Sequence, residues 1–307
     1  MKEKIGNVTI DDTLYPGVDL YSDGAVEDEL LDIVINYPES AYNRVIVERK
    51  SWPIMYHLSH IRENIVNWLP LDGTERVLEI GSGCGAVTGA LARKAKSVTC
   101  IELSKRRSLI NANRHKDSEN IEILLGNFED VEKTLTEQYD VITLIGVLEY
   151  GASYINSEKP YEEFLTTIAK HLAPQGKIVV AIENKMGLKY WAGCKEDHIG
   201  QYYGGIEGYE NVKGVRTFSK PELTELVRKT GFREPVFYYP YPDYKFASAV
   251  YSDNFLPAAG DLSDNMRNFD NQRLVTFDET KVFDTVIRDG MFPYYSNSFE
   301  LVLQKEE

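Results

Sequence analysis

The chain has 307 residues, and its 34 Lys and Arg against 48 Asp and Glu leave a formal net charge of −14 at pH 7. A protein that binds RNA or DNA by neutralising phosphates would work against this field, so we expect no nucleic acid partner. No apolar run reaches the roughly 18 residues of a membrane-spanning helix, and we expect no membrane insertion. Three cysteines are too few for a disulfide framework, and the first residues lack an apolar signal segment, which predicts a cytoplasmic protein.

Residues 1–57 are predicted to form a small N-terminal appendage, because they are acidic and contain Asp-Gly and Pro-Gly turns. Within them, KIGNVTI and RVIVERK have the composition of short strands, and VEDELLDIVIN that of a short helix. Apolar residues at helical spacing then predict an amphipathic helix over residues 58–69, which Pro70 ends. This helix leads into the main domain, expected over residues 58–251.

The main domain alternates short apolar strands with amphipathic helical stretches, a pattern typical of a parallel sheet covered on both faces. The five predicted strands are RVLEIG, SVTCIEL, IEILLG, YDVITLIG and KIVVAIE. A further helix, KPELTELVRKTG, precedes a sixth strand near PVFYYP, and the polar stretch 252–292 is predicted to be an insertion before a last strand, SFELVLQK. The fold is therefore predicted to be doubly wound α/β with seven strands, completed by residues 252–307.

A glycine-rich loop follows the first of these strands, at the position where doubly wound sheets bind ligands. It contains Gly81, Gly83 and Gly85 in the segment EIGSGCG. Glycines there let the backbone turn sharply and approach a ligand closely. The spacing from Gly81 to Ala86 also satisfies the dinucleotide fingerprint, and Glu102 at the end of the second strand suits an adenosine ribose in either cofactor class.

Two features favour a methionine-containing nucleoside over a dinucleotide. Glu79 precedes the glycines by two residues, where a carboxylate would repel a pyrophosphate but could bind the ammonium of a methionine moiety. Asn127 and Phe128 follow the third strand, where an amide can hydrogen-bond an adenine edge and a ring can pack on its face. An NAD-dependent oxidoreductase remains the less favoured alternative.

At these residues the chain resembles the class I S-adenosylmethionine-dependent methyltransferases, over roughly residues 71–250. EIGSGCG matches their glycine motif, Glu102 their ribose acid and GNFED their adenine motif. The family often has Asp where this chain has Asn127, so the adenine contact loses its charge assistance. The resemblance implies a methyltransferase enzyme with S-adenosylmethionine as cofactor, and a seven-stranded sheet whose antiparallel last strand SFELVLQK could supply.

Candidate catalytic residues lie after the fourth strand and in a long loop. Glu149 could act as a base or bind the acceptor. His198, beside Asp197 in the glycine-rich segment 191–209, is the favoured base, because neutral imidazole accepts a proton near physiological pH. The fifth strand is followed by Glu183, Asn184 and Lys185. Asn184 with Lys185 could suggest a metal or phosphate contact, but no second carboxylate lies nearby at ligand-like spacing, so we expect no metal.

The acceptor class rests on a narrower resemblance. The segments KYWAG, EDHIG and YGGIEGY, with VRTFSKPEL and YYPYPDYKF, resemble a subgroup of bacterial methyltransferases associated with surface-polysaccharide synthesis. This implies O-methylation of a small-molecule or glycan acceptor. The alternative is a non-catalytic S-adenosylmethionine-binding scaffold or sensor, which would follow if Glu149 and His198 were held in ion pairs. The sequence gives no indication of the oligomeric state.

Overall fold

The computed structural model describes residues 2–19, 22–155, 157–265 and 272–306. The chain forms two compact units. The first comprises residues 1–144 and 168–177, and the second comprises residues 145–167 and 178–307. The domain limits expected after residues 57 and 251 stay a prediction.

Within the described residues the sheet has ten strands, in the order β1-β2-β5-β4-β3-β6-β7-β10-β8-β9. Their bounds are β1 Lys2–Ile5, β2 Val8–Leu14, β3 Arg76–Ile80, β4 Ser97–Glu102, β5 Ile121–Gly126, β6 Tyr139–Ile145, β7 Leu172–Glu183, β8 Val236–Tyr241, β9 Ala249–Ser252 and β10 Ser298–Leu303. Strands β2 to β6 pair in parallel, whereas β10 is antiparallel to both β7 and β8. The predicted doubly wound, mostly parallel α/β fold is confirmed, including the antiparallel last strand.

Three strands lie outside the predicted seven-stranded sheet. β1 and β2 form an antiparallel pair where one strand was expected, and β2 continues the sheet through parallel pairing with β5. β9 pairs with β8 at the other edge. Because the partners of β2 in β5 lie more than a hundred residues away, its local alternation indicates a strand but not a place in the sheet.

Thirteen helices are found in the described part of the chain. They are α1 Val26–Asn36, α2 Tyr42–Arg49, α3 Trp52–Leu58, α4 Asn64–Asn67, α5 Thr88–Ala92, α6 Lys105–Arg114, α7 Phe128–Val131, α8 Gly151–Tyr154, α9 Pro160–Lys170, α10 Leu188–Trp191, α11 Lys220–Arg228, α12 Glu279–Arg288 and α13 Phe292–Tyr295. Among these described helices, none is long and apolar enough to cross a membrane. The helix predicted over VEDELLDIVIN is confirmed as α1.

Two local predictions near the N-terminus are wrong. RVIVERK belongs to helix α2, in which Tyr42 and Val45 face a hydrophobic core while Val47 is 70% exposed, a helical rather than an alternating pattern. The single helix expected over residues 58–69 is a 3₁₀ turn, His60–Glu63, followed by α4. Ser59 has an extended backbone and its hydroxyl caps the turn, which separates it from α3.

The N-terminal helices pack on the element that follows β4. Their buried side chains form one hydrophobic cluster with Ile110 of α6 and Cys84 of the glycine-rich loop. In addition, Asp19 accepts hydrogen bonds from the backbone N–H groups of Lys105 (2.6 Å) and Arg106 (3.2 Å) at the start of α6. The N-terminal region therefore supports the glycine-rich loop directly.

Residues 252–292, expected as a polar insertion, contain helix α12. Phe283 is its buried aromatic residue, and the neighbouring Val282, Val286 and Ile287 are partly buried. The Phe283 ring lies 6.4 Å from that of Tyr241 and 6.2 Å from that of Phe292, measured between centroids. Phe283 and these three aliphatic residues recur at helical spacing, so this helix is predictable from the sequence, although it was not among the predicted elements.

Candidate functional site

The glycine-rich loop leaves β3 in a conformation that favours glycine. Gly81, Gly83 and Gly85 have φ of +71°, +52° and +76°, and the Gly81 N–H donates to the carbonyl of Ile101 (2.8 Å). A Cβ atom at Gly85 would lie 2.3 Å from Oδ1 of Asn111, whereas one at Gly83 would meet no atom of the described residues within 4 Å. Gly85 is thus required by packing, and Gly83 borders space that a ligand can approach.

Glu102, the last residue of β4, is 6% exposed and holds this loop in place. Its Oε2 accepts the N–H of Gly83 (2.7 Å), and its Oε1 accepts those of Leu103 and Ser104 (both 2.9 Å). Burial raises the pKa of Glu102, against the opposing effects of Arg107 and these N–H groups. A carboxylate has about four lone-pair sites, so three backbone bonds leave capacity for a further donor such as a hydroxyl.

Glu79 lies beneath the loop and is 3% exposed. Its Oε2 accepts the hydroxyl of Thr88 (2.7 Å) and the thiol of Cys100 (3.5 Å). Burial raises the pKa of Glu79 to about 7, because the charged form loses hydration. Near neutral pH both the protonated and the ionised form of this carboxyl are therefore populated, and a bound cation would favour the ionised form.

Asn127 and Phe128 follow β5 on the same edge of the sheet, at the start of α7. Phe128 is 4% exposed, and the Oδ1 of Asn127 is buried without a hydrogen-bond donor among the described residues. A buried acceptor without a donor costs about 1–3 kcal/mol, which a ligand amino group would recover. The orphaned acceptor and the open side of Gly83 are the observations that fit an adenine-containing cofactor to these residues.

A second group of functional side chains lies in the second unit. Glu149 follows β6 in a 3₁₀ turn and Glu183 ends β7, and they are 1% and 0% exposed. Burial and the charge of Glu183 raise the pKa of Glu149, which the nearby His198 opposes. The Oε2 atoms of both carboxylates accept no hydrogen bond within the described ranges.

His198 faces these carboxylates from the long loop. Its Nε2 lies 3.6 Å from Oε1 of Glu149 and 3.8 Å from Oε2 of Glu183, and its Nδ1 lies 3.0 Å from Oε1 of Glu196. Glu196 is fixed in turn by the hydroxyl of Tyr209 (2.8 Å) and by the backbone N–H groups of His198 and Ile199. The three carboxylates raise the pKa of His198 to about 11, so the neutral ring expected from the sequence is not its resting form.

Asp197, expected beside the ring of His198, has other partners. It accepts the hydroxyl of Tyr190 (2.6 Å) and pairs with Lys245 (2.6 Å) and Lys189 (2.9 Å). The two lysines hold the pKa of Asp197 well below its usual range. Adjacent residues of an irregular loop can point in different directions, and here Glu196 orients the imidazole.

From the sequence, Glu183 is placed at the end of the fifth strand without a role of its own, and Glu196 is not singled out. Glu183 could have been recognised as a candidate because it is a charged residue at the end of an otherwise apolar strand. No local sequence pattern distinguishes Glu196. Asn184, considered beside them, has a structural role: its Nδ2 donates to the carbonyls of Tyr294 (2.9 Å) and Ser296 (2.8 Å), and its Oδ1 accepts the N–H of Met186 (3.0 Å).

A parallel α/β sheet with a glycine-rich loop after β3 and an acid at the end of β4 defines a Rossmann-like nucleotide-binding protein. Comparison with protein families matches residues 56–234, more than half of the 307, to the family described as "Methyltransferase domain". The chain belongs to this family, and its cofactor is S-adenosylmethionine. The resemblance stated from the sequence is thereby confirmed.

The individual proteins to which the chain is similar have sequence identities of about 30% and match only part of it. The chain is 29% identical over 168 residues to ribosomal RNA small subunit methyltransferase A of Borreliella burgdorferi. The aligned region covers 51% of this chain and 58% of that protein. It is 31% identical over 126 residues to demethylmenaquinone methyltransferase of Tropheryma whipplei, covering 40% of this chain and 47% of that protein. The chain thus spans roughly half the length of these curated relatives.

Solved structures with a similar backbone include the CcbJ methyltransferase from Streptomyces caelestis. That chain has a TM-score of 0.48 and 16% identity, with 94% of this chain and 100% of that chain covered. A SAM-dependent methyltransferase from Archaeoglobus fulgidus has a TM-score of 0.47 and 12% identity, with 91% and 99% covered.

Proposed function

We propose that this protein is an S-adenosylmethionine-dependent O-methyltransferase that modifies a hydroxyl group of a small molecule or glycan. The observation that supports it most is the Oε2 atom of Glu149, which is buried and accepts no hydrogen bond from the described residues. A hydroxyl acceptor must lose its proton during transfer, and a desolvated carboxylate with a raised pKa is suited to receive it.

S-adenosylmethionine supplies a methyl group already activated by the positive charge on sulfur, so positioning by the protein accounts for much of the rate. On the donor side, we assign Glu102 to the ribose hydroxyls, Asn127 Oδ1 to the adenine amino group and Phe128 to the face of the base. Glu79 receives the methionine ammonium, directly or through water. Gly81, Gly83 and Gly85 let the backbone approach.

Glu79 makes cofactor binding pH-dependent. Its pKa in the free protein is about 7, and a bound ammonium lowers that pKa by favouring the carboxylate. Binding therefore releases a proton below pH 7, and we expect affinity to rise from about pH 5.5 to about pH 7 and then level off. Isothermal titration calorimetry in buffers of different ionisation enthalpy measures both the affinity and the number of protons released.

The control is Glu79→Gln, which keeps a hydrogen-bonding side chain but cannot ionise. This variant should bind S-adenosylmethionine more weakly, and its affinity should depend less on pH. We assign any pH dependence that remains in the variant to Glu102, whose pKa is also raised. Equal pH dependence in the wild-type protein and Glu79→Gln would remove Glu79 from the ammonium site.

On the acceptor side, Glu149 rather than His198 takes the proton. Both ring nitrogens of His198 already face carboxylates, Nδ1 toward Glu196 and Nε2 toward Glu149 and Glu183. His198 therefore positions Glu149 and balances its charge. This assignment follows from the contacts of the ring and makes Glu149 the catalytic residue of the proposed reaction. The buried ion pair of His198 with Glu149 and Glu183 is also the arrangement expected for the scaffold or sensor alternative, so an assay of methyl transfer distinguishes the two.

The choice of acceptor is tested by transfer of a labelled methyl group from S-adenosylmethionine to a panel of compounds. The panel contains hydroxylated sugars, phenols, amines, a demethylated quinol and a ribosomal RNA fragment. We expect label in hydroxylated small molecules or glycans and none in RNA, because the net charge of −14 opposes RNA binding. Label in RNA or amines alone would contradict the proposal, and cofactor binding without any transfer would favour the scaffold or sensor alternative.

A further inference from the structure

We propose that Glu149, Glu183 and His198 form a binding site for one divalent first-row transition-metal ion. Each side chain offers one ligand atom, and these atoms all lie within 4.8 Å of one another. They come from three separate segments of the second unit: the turn after β6, the end of β7 and the long loop. The expectation that the chain lacks a metal site rested on sequence spacing, which does not report this arrangement.

The distances in the cluster suit ligands of a common ion better than direct hydrogen bonds. Nε2 of His198 is 3.6 Å from Oε1 of Glu149 and 3.8 Å from Oε2 of Glu183, beyond the usual range for N–H···O bonds. Two ligand atoms about 2.1 Å from one ion, at a tetrahedral angle, lie about 3.4 Å apart. The ligand atoms all lie within 4.8 Å of one another, and an inward movement of these side chains would complete three coordination bonds.

The buried carboxylate of Glu183 also favours binding of a further cation. Oε1 of Glu183 pairs with Lys245 at 2.5 Å, but Oε2 accepts no hydrogen bond among the described residues and is directed toward His198. Lys245 is shared with Asp197. The His198 ring faces Oε2 only at 3.8 Å, without a hydrogen bond, and an ion coordinated at Oε2 would satisfy this buried oxygen more closely.

The surroundings of His198 have the form of a metal-ligating histidine. Its Nδ1 faces Glu196, and a carboxylate at that nitrogen orients the ring and leaves Nε2 as the ligand atom, whose proton the ion would displace into solvent on binding. Glu196 is held by Tyr209 and two backbone N–H groups, so the ring position is defined before any ion binds. One imidazole and two carboxylates favour ions such as Zn²⁺, Mn²⁺ or Co²⁺ over Mg²⁺ or Ca²⁺.

Three protein ligands leave at least one coordination position open, as in catalytic rather than structural sites. If the proposed function holds, that position would bind the acceptor oxygen, and Oε2 of Glu149 would remain free to receive its proton while Oε1 coordinates. Coordination would lower the pKa of a bound hydroxyl and assist its deprotonation. Metal binding itself does not depend on methyl transfer and is tested without cofactor or acceptor.

The experiment is a titration of the full chain, stripped with a chelator, with Co²⁺, followed by visible absorption and by calorimetry. We expect one equivalent to bind with a ligand-field spectrum of low coordination number, and Zn²⁺ to displace it. Glu183→Gln and Glu149→Gln should each weaken binding by more than about tenfold, and Glu196→Gln by about 10–100-fold through the loss of ring orientation. Mg²⁺ and Ca²⁺ should not compete at equal concentration.

The matched control is Glu222→Gln, since Glu222 is a carboxylate of the same unit that pairs with a lysine, Lys185 at 2.7 Å. Glutamine preserves its capping box with Ser219, and this variant should bind Co²⁺ like the wild-type protein. Thermal unfolding verifies that each variant is folded. If Glu183→Gln does not fold, the Co²⁺ titration of Glu149→Gln tests the site instead. Absence of stoichiometric binding, or equal binding by Glu149→Gln and wild type, would overturn the metal site. Methyl transfer is measured separately in the presence of a chelator. Transfer that persists there would support the proposed function even if the metal site is absent.

Discussion

Gly83→Val is expected to reduce the affinity for S-adenosylmethionine by at least about 100-fold while leaving the protein folded. Gly83 has a φ of +52°, and a Cβ atom there would point into space where no atom of the described residues lies within 4 Å. We assign this space to the cofactor, so a branched side chain would displace it. Calorimetric titration with S-adenosylmethionine and with its demethylated product measures the loss.

The strain of a positive φ must be separated from obstruction of the cofactor. Gly73→Val is the control, because Gly73 has a φ of +94° and a Cβ atom there would likewise meet no described atom within 4 Å. Gly73 lies in an exposed segment before β3, away from the glycine-rich loop in the chain. We expect Gly73→Val to lower the melting temperature without changing cofactor affinity. If Gly83→Val binds as tightly as Gly73→Val, the loop is only a tight turn.

Glu149→Gln is expected to lower kcat for methyl transfer by about 10²–10⁴-fold, the usual contribution of a general base. The amide retains the size of the side chain and the oxygen that faces His198, but it cannot accept the acceptor's proton. Affinity for S-adenosylmethionine should stay within about twofold, because Glu149 is assigned to the acceptor and every residue assigned to the cofactor is unchanged. Steady-state kinetics with the acceptor found in the panel, together with calorimetry for the cofactor, provide both quantities.

Glu222→Gln again serves as the control and should keep wild-type turnover. A change in KM with kcat unchanged would assign Glu149 to acceptor binding rather than to proton transfer. Wild-type kcat in Glu149→Gln would contradict its catalytic role. That result would leave the metal site standing, because the Co²⁺ titration is independent of turnover.

Much of the fold and the donor side could be predicted from local sequence. Apolar runs such as RVLEIG and SVTCIEL, separated by amphipathic helices, predict buried parallel strands, since such strands are covered on both faces. The glycine-rich loop follows β3 and Glu102 ends β4, and neighbouring parallel strands bring their carboxyl ends to one edge. The order of elements along the chain therefore indicates that the glycine-rich loop and Glu102 lie close together. It does not indicate the burial of Glu79, which raises the pKa of that residue.

Only the tertiary structure decided how the acceptor-side residues meet. Glu149, Glu183 and His198 are separated by between 15 and 49 positions along the chain, and their distances depend on strand pairing and on the path of an irregular loop. The same loop turns Asp197 toward Lys189 and Lys245 and places Glu196 against the imidazole. Local periodicity reports which face of an element is buried, but long-range packing determines which buried charges become neighbours, and the pKa of His198 follows from those neighbours.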